Sequence, residues 1–128
     1  MRHNFSLAKA IIFTVVVLTF TACSKGKKDM LAKNWKATEL TLAGNVKLSG
    51  DQVSLVYSFK SDGTFSRTED GKTEDGKWTL EKGDTEVELK LNNGTELEKI
   101  IKELTDEKLV WEGEEMTMQR TEVFAPAK

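Results

Sequence analysis

Apolar and polar residues alternate along most of the chain after Trp35, with the period of two that half-buried strands show. The clearest run is 53–59, whose apolar face consists of Val53, Leu55, Tyr57 and Phe59. Similar short runs follow, separated by turn sequences that contain Asp-Gly or Asn-Gly. The pattern predicts an all-β domain, a small antiparallel up-and-down barrel or sandwich of about eight strands. A closed barrel would leave no exposed strand edges.

Two runs are less regular than the rest. Between Trp35 and Leu42 the apolar phase changes, and a bulge near Thr38 and Glu39 would reconcile the two halves. Residues 97–104 fit both a helical stripe and a strand. Because they lie between hairpin signals and contain two adjacent isoleucines, we predict a strand with an irregular end at 102–106.

A five-residue repeat occupies 68–72 and 73–77, so two Asp-Gly pairs compete for one hairpin tip. Five is an odd number, and a slip by one repeat would turn Trp78 and Leu80 away from the core. We therefore predict Asp70-Gly71 as the tip and Gly76 as a structural residue within a strand. The acids of the repeat are Glu69, Asp70, Glu74 and Asp75. Their spacing does not match a calcium-binding loop, which favours a solvated tip and predicts no metal site.

The remaining segments carry weaker signals. Residues 29–33 predict one helical turn capped by Asp29. A loop is expected from Gly44 to Asp51, and a flexible tail over 123–128.

The first 22 residues combine a basic start, a short uncharged apolar run and small residues before the chain's only cysteine. These features are typical of a cleaved signal peptide. Together with Cys23 the segment resembles the bacterial lipoprotein signal, although Phe20 stands where that signal prefers Leu, Val or Ile. The resemblance implies acylation of Cys23, which would be the new N-terminus and would attach the protein to a membrane. A free thiol or an uncleaved anchor is the alternative.

Charge and composition argue against several classes of function. The chain has 19 basic and 21 acidic residues, and removal of Arg2 and Lys9 with the signal leaves a net charge of about −4. That balance argues against a nucleic-acid partner. Removal of His3 leaves no histidine, and Cys23 is the only cysteine. Nucleophilic triads and zinc sites that need these residues are therefore not expected, so we predict no catalytic residues, no cofactor and no enzyme. An enzyme that uses the acids of 69–75 is the weakly supported alternative.

Four short motifs carry a resemblance to a known family. They lie at Leu31–Trp35, Phe59–Phe65, Gly76–Trp78 and the apolar run from Ile100 to Leu109. Together they resemble the small lipocalin-like domains of lipoproteins from Gram-negative bacteria. The resemblance implies a tether over 23–30 and a lipocalin-like barrel over 31–122.

The resemblance also implies a contact within the barrel and a location in the cell. An arginine of the last strand, here Arg120, would lie across Trp35 as a cation–π pair. Ser24 and the lysines that follow imply an outer-membrane anchor with the barrel in the periplasm, although the cell surface is also open.

A barrel of eight strands is either filled by side chains or holds one small ligand. The side chains predicted to point inward are Tyr57, Phe59, Phe65, Trp78, Trp111, Met116 and Met118. The candidate ligand-binding residues are Tyr57, Phe59, Arg67, Trp78, Trp111 and Met118, and the expected ligand is small and hydrophobic. The alternative is an envelope interaction protein with a filled core and partner contacts in loops such as Gly44 to Gln52. The sequence does not identify a protein partner.

Overall fold

The structure is a computed structural model that describes residues 26–43 and 45–128. The predicted signal peptide, Cys23 and Gly44 lie outside the described residues. The strands are β1 (Asn34–Leu42), β2 (Val46–Ser49), β3 (Leu55–Phe59), β4 (Thr64–Glu69), β5 (Lys72–Glu81), β6 (Glu86–Leu91), β7 (Glu96–Leu104), β8 (Leu109–Glu115) and β9 (Met118–Pro126). A short helix, α1 (Lys27–Leu31), precedes them, and a 3-10 turn covers Gly50–Gln52. Among the described residues, none of the helical segments is long and apolar enough to cross a membrane.

The strands close into a ring in which each pairs antiparallel with its neighbours. One edge of β1 pairs with β9 along most of its length. The other edge pairs with β3 through Asn34–Lys36 and with β2 through Glu39–Leu42. Because β2 and β3 share one place in the ring, the result is an eight-stranded antiparallel barrel, which confirms the predicted fold class.

The tandem repeat adopts the predicted register. Asp70 and Gly71 form the β4–β5 tip with φ values of 50° and 82°, as a tight hairpin turn requires. Glu69 lies opposite Lys72, and Trp78 points into the core. Gly76 is a strand residue opposite Leu91, and a Cβ there would collide with the backbone carbonyl of Lys90. The second Asp-Gly pair therefore belongs inside β5 because only glycine permits this approach of β6.

Both predicted irregularities are present. The pairing of β1 with β9 shifts register between Ala37 and Glu39, and both Ala37 and Leu40 point into the core. The pairing of β7 with β8 shifts between Ile101 and Glu103. Residues 97–104 thus form a strand with an irregular end, as predicted.

Three local predictions were wrong. The expected loop after Gly44 contains β2, whose four residues pair with the end of β1. The helix begins at Lys27 with Gly26 as its N-cap, so Asp29 lies in the first turn and does not cap it. The expected flexible tail is the end of β9, where Phe124 is 1% exposed and pairs across both β1 and β8. Pro126 ends that strand, where its missing N–H costs least.

Aromatic side chains fill the half of the barrel nearest α1. Leu31 of α1 is buried, and its carbonyl accepts a hydrogen bond of 3.1 Å from the indole N–H of Trp35. Above this cap lies a cluster of rings with centroids 5.3 to 6.2 Å apart, formed by Tyr57, Phe59, Phe65, Trp78, Trp111 and Phe124. Each ring residue is 0 to 3% exposed. This closed end of the barrel is packed as a core.

Candidate functional site

A cavity of about 500 Å³ lies at the opposite, open end of the barrel. One side of it is apolar and comes from the neighbouring strands β1, β8 and β9, through Leu42, Met116 and Met118. The facing side is charged and comes from the β4–β5 hairpin, through Glu69, Lys72 and Glu74. The volume is within the range of small-molecule sites.

The floor of the cavity is formed by Arg67, Glu115 and Arg120. Arg67 donates a hydrogen bond of 2.7 Å from Nη2 to Glu115 Oε1. Arg120 donates one of 2.7 Å from Nη2 to Glu69 Oε2, at the edge of the charged side. The guanidinium of Arg67 also lies 5.8 Å from the centroid of the Tyr57 ring, so the floor rests on the aromatic core.

Below the floor lie two fully buried charges, Lys99 and Glu122. The ammonium of Lys99 lies 2.7 Å from Glu115 Oε2 and 3.2 Å from Glu122 Oε1. Glu122 also accepts the indole N–H of Trp111 at 2.7 Å and a guanidinium N–H of Arg120 at 3.0 Å. Charges buried at this depth are tolerated only when paired and hydrogen-bonded, as they are here.

A glycine makes room for this lysine. Gly113 is buried on β8, and a Cβ there would lie 3.0 Å from Lys99 Cδ and would collide with the carbonyl oxygen of Glu98. The strands β7 and β8 therefore approach closely beside the Lys99 side chain. Any larger residue would force the backbone of β7 to move beside the Lys99 side chain.

The mutual charges shift several pKa values. Burial alone would raise the pKa of Glu115, but Lys99, Arg67 and Arg120 outweigh it and hold that pKa below its usual value. Burial would lower the pKa of Arg120, and the hydrogen bond to Glu69 with the charge of Glu122 raises it instead. Burial, with a smaller contribution from Glu122, raises the pKa of Tyr57 well above 10.0. These shifts favour the ionised forms of Glu115 and Arg120 and the neutral form of Tyr57.

Three polar atoms of this region lack a hydrogen-bond partner among the residues described. They are the Tyr57 hydroxyl and the Nε atoms of Arg67 and Arg120, each buried. Buried donors of this kind have a cost unless a water or another acceptor meets them. Within the same described residues, no group of three or more acidic, histidine or cysteine side chains is arranged to hold a metal ion.

The structure divides the six candidate ligand-binding residues into two sets. Arg67 and Met118 line the cavity. Tyr57, Phe59, Trp78 and Trp111 are at most 3% exposed in the filled half and do not line it. Met116 and Met118 were predicted to point inward, and both line the cavity, but neither is buried, since Met116 is 97% and Met118 44% exposed. Both lie at the rim because the β8–β9 turn falls at Met116 and Thr117.

The predicted cation–π pair between Arg120 and Trp35 was wrong. Trp35 lies opposite Pro126, whereas Arg120 lies opposite Leu42 at the other end of β1. The cation over Trp35 is Lys33, whose Nζ lies 5.2 Å from the ring centroid. Arg120 is instead part of the cavity floor. The strands β9 and β1 are held together by their backbone pairing and by the buried side chain of Phe124.

Sequence reasoning missed three charged members of the site, Lys99, Glu115 and Glu122, and assigned a fourth, Glu69, to a solvated hairpin tip. A signal was present, because each occupies an inward position in its strand's alternation. Lys99 lies between Leu97 and Ile101, and Glu122 lies between Arg120 and Phe124. Charged residues at several inward positions on different strands indicate a shared polar cluster.

The comparisons with known proteins agree with this architecture. A family model described as a lipocalin-like domain matches residues 31–111. The chain belongs to that family. No curated protein matches this sequence. The match ends within β8, so β9, with Arg120 and Glu122, lies beyond the matched part of this lipocalin-like protein. Lipocalin-like domains are in general non-enzymatic.

Proposed function

We propose that this lipocalin-like protein is a non-enzymatic, lipid-anchored envelope protein that binds one small, largely hydrophobic molecule at the open end of its barrel. The observation that carries the proposal is the cavity of about 500 Å³, whose apolar side meets a charged floor. An apolar surface with a few convergent polar groups is typical of sites for small ligands. The exposure of Met116 and Met118 also fits this role, since methionine adapts to varied apolar partners.

The proposed anchor is Cys23, acylated after removal of residues 1–22, at the outer membrane and facing the periplasm. Lys27, where α1 begins, follows Cys23 by four residues. The closed end would therefore stay within about 15 Å of the acylated residue. The cavity opens at the other end of the barrel, so it would face away from the membrane.

Ligand binding is tested with the full-length protein extracted from its own membrane. Native mass spectrometry is expected to show a bound small molecule, and a neutral fluorescent naphthylamine is expected to bind the emptied protein. Met118→Lys places a charge on the apolar side at an exposed position and should weaken probe binding about tenfold or more. Lys102→Met, on an exposed strand position remote from the cavity, is the matched control. Absence of both bound molecule and probe binding would refute the proposal.

The anchor has its own test. Cys23→Ala is expected to move the protein from the membrane fraction to the soluble fraction without altering probe binding. Cys23→Ala protein that stays in the membrane fraction would contradict acylation as the means of attachment.

A second function class retains one supporting observation. Val46 is 52% exposed and Met116 97%, both at the open end, and exposed apolar side chains at a rim also suit a protein partner. The two classes separate by experiment. A protein that binds neither a small molecule nor the probe, and that loses a co-purifying protein in the Met116→Ser variant, would favour an envelope interaction protein.

A further inference from the structure

The carboxylate of Glu69 bridges two guanidinium groups from different strands. Its Oε1 accepts a hydrogen bond of 3.1 Å from Arg67 Nη2, and its Oε2 accepts one of 2.7 Å from Arg120 Nη2. Arg67 lies on β4 and Arg120 on β9, so the two cations converge on this carboxylate from separate parts of the ring. A carboxylate held by two arginines is a strong, charge-assisted arrangement.

The side chain of Glu69 can turn away from the two arginines more easily than the side chains of Glu115 and Glu122 can. It is the last residue of β4, directly before the Asp70-Gly71 turn, and its side chain is 28% exposed on the cavity side. The side chains of Glu115 and Glu122 are only 10% and 0% exposed below it. Rotation of the Glu69 side chain toward solvent would uncover both arginines to the cavity.

Without Glu69 the floor has a surplus of positive charge. The cations of the floor and of the layer below it are Arg67, Lys99 and Arg120, and the anions there are Glu115 and Glu122. Lys72, on the adjacent rim, makes no ion pair with any residue the structure describes. Glu74 is the other acid of that side, but it lies 3.8 Å from Arg67 Nη1 and accepts a hydrogen bond from Asn93. An anion that replaced Glu69 would therefore meet two guanidinium groups and one ammonium.

We propose that the ligand is an amphiphile with a carboxylate or phosphate headgroup, which displaces Glu69 from Arg67 and Arg120 while its chain covers the apolar side. This inference rests on the proposed function, because it uses the same cavity, and it specifies the chemistry of the ligand. Glu69 acts as an internal occupant of the anion site. It keeps the arginines paired while the cavity is empty and competes with the incoming headgroup.

The apolar side of the cavity would hold the hydrocarbon chain of the ligand. Leu42 and Met118 face the same cavity as Arg120, and Leu42 lies directly opposite Arg120 in the β1–β9 pairing. A headgroup between the arginines would therefore have its chain beside Leu42 and directed outward along Met118 and Met116. Anions without a chain would gain only the polar half of the site.

The experiment compares ligands that share one chain and differ in headgroup. Dodecanoate, dodecyl phosphate and dodecyltrimethylammonium, each below its micelle concentration, and dodecanol, below its solubility limit, compete with the neutral naphthylamine probe on the full-length protein. We expect the carboxylate and the phosphate to bind about tenfold or more tightly than the alcohol. The tighter of the two anions identifies which headgroup the site prefers. Acetate and inorganic phosphate are expected to compete at least about a hundredfold more weakly, because they lack the chain.

Two variants test the role of Glu69. Glu69→Gln should strengthen binding of both anionic amphiphiles about fivefold and leave dodecanol unchanged, because the competing charge is gone. Glu103→Gln, at an exposed position outside the cavity lining, is the matched control and should change anion binding by less than about twofold. Lys72→Met, at an exposed position, should weaken the anions severalfold without affecting folding or the alcohol.

The outcomes separate this inference from the proposed function. Equal binding of alcohol and anions, tighter binding of the trimethylammonium compound, or no effect of Glu69→Gln would overturn the anionic headgroup and leave the apolar site standing. Tight binding of inorganic phosphate or acetate alone would overturn the amphiphile in favour of a free anion. Failure of all four chain compounds to displace the probe would refute ligand binding at this cavity.

Discussion

Trp111 donates its indole N–H to Glu122 at 2.7 Å, and both side chains are completely buried. This contact joins the two halves of the barrel interior. Trp111 packs edge-on against Tyr57 and Phe124 in the aromatic core, at centroid distances of 5.3 Å. Glu122 pairs with Lys99 and Arg120 below the cavity. The floor of the candidate site is therefore fixed to the most tightly packed part of the molecule.

The first prediction concerns that junction. Glu122→Gln removes one charge of a fully buried pair and should lower the free energy of unfolding by about 3–5 kcal/mol, because Lys99 loses a buried partner. Urea unfolding followed by tryptophan fluorescence measures the change. Glu112→Gln removes the partner of Lys102 at the surface and should cost less than about 1 kcal/mol. Similar losses in the two variants would mean that the buried pair contributes no more to the free energy of unfolding than the surface pair does.

The second prediction concerns pH. The folded-state pKa of Glu115 is held below its unfolded value of about 4.3. Its ionised form therefore stabilises the fold at neutral pH, and this contribution is lost as the pH falls through the folded-state pKa. We expect the free energy of unfolding to decrease as the pH falls below about 4.3. Urea titrations at a series of pH values measure that slope.

Glu115→Gln tests the assignment of this pH dependence. The variant should be less stable at neutral pH and should show a shallower loss of stability in acid. Part of the acid slope should persist, because the pKa of Asp62 is also lowered, by hydrogen bonds from the Thr64 hydroxyl and backbone N–H. Glu114→Gln, at the exposed neighbouring position, serves as the control. An unchanged acid slope in Glu115→Gln would show that other carboxylates produce it.

How far the sequence could predict this molecule depends on whether the deciding contact was local. Alternation identified β3, which was predicted over 53–59 and covers Leu55–Phe59, and the odd length of the repeat identified Asp70-Gly71 as the tip. The strand β2 was missed because four residues carry too little alternation, and its pairing depends on β1. The end of β9 was missed because only closure of the ring buries Phe124.

The candidate site was predictable only in part for the same reason. Arg67 followed from its inward position beside Tyr57 on the neighbouring strand. The partners of Arg67 come from β8 and from the end of its own strand, and the closed ring, not the local pattern, brings Glu115 to it. The pairing register of β9 with β1 also determines which residues Arg120 can contact. It places Arg120 opposite Leu42, at the other end of β1 from Trp35.

The third prediction tests the end of β9. Phe124→Ala should lower the free energy of unfolding by about 3–5 kcal/mol, because it leaves a cavity among Tyr57, Trp111 and β1. A truly flexible tail would tolerate this change. Val123→Ala, on the next and less buried position of the strand, should cost less. Equal stability of Phe124→Ala and the unchanged protein in urea would contradict the packing described for this strand.

The fourth prediction concerns the β8–β9 turn at the rim of the cavity. Met116 and Thr117 both adopt positive φ, 51° and 65°, which favours Asn-Gly and disfavours a β-branched residue such as Thr117. Strain of this kind is tolerated where the side chains serve a function. Replacement of the pair by Asn-Gly should therefore raise the free energy of unfolding by about 1 kcal/mol and weaken binding of the naphthylamine probe, because Met116 leaves the apolar side.

The single variant Thr117→Gly separates the two effects of that replacement. It relieves the strain at one position but keeps Met116, so stability should rise while probe binding is unchanged. The β4–β5 turn already has Gly71 at the second central position, and Gly71→Ala there should destabilise the protein by about 1 kcal/mol as the reverse test. If the Asn-Gly variant is more stable and binds the probe as before, Met116 has no part in the site and the apolar side reduces to Leu42 and Met118.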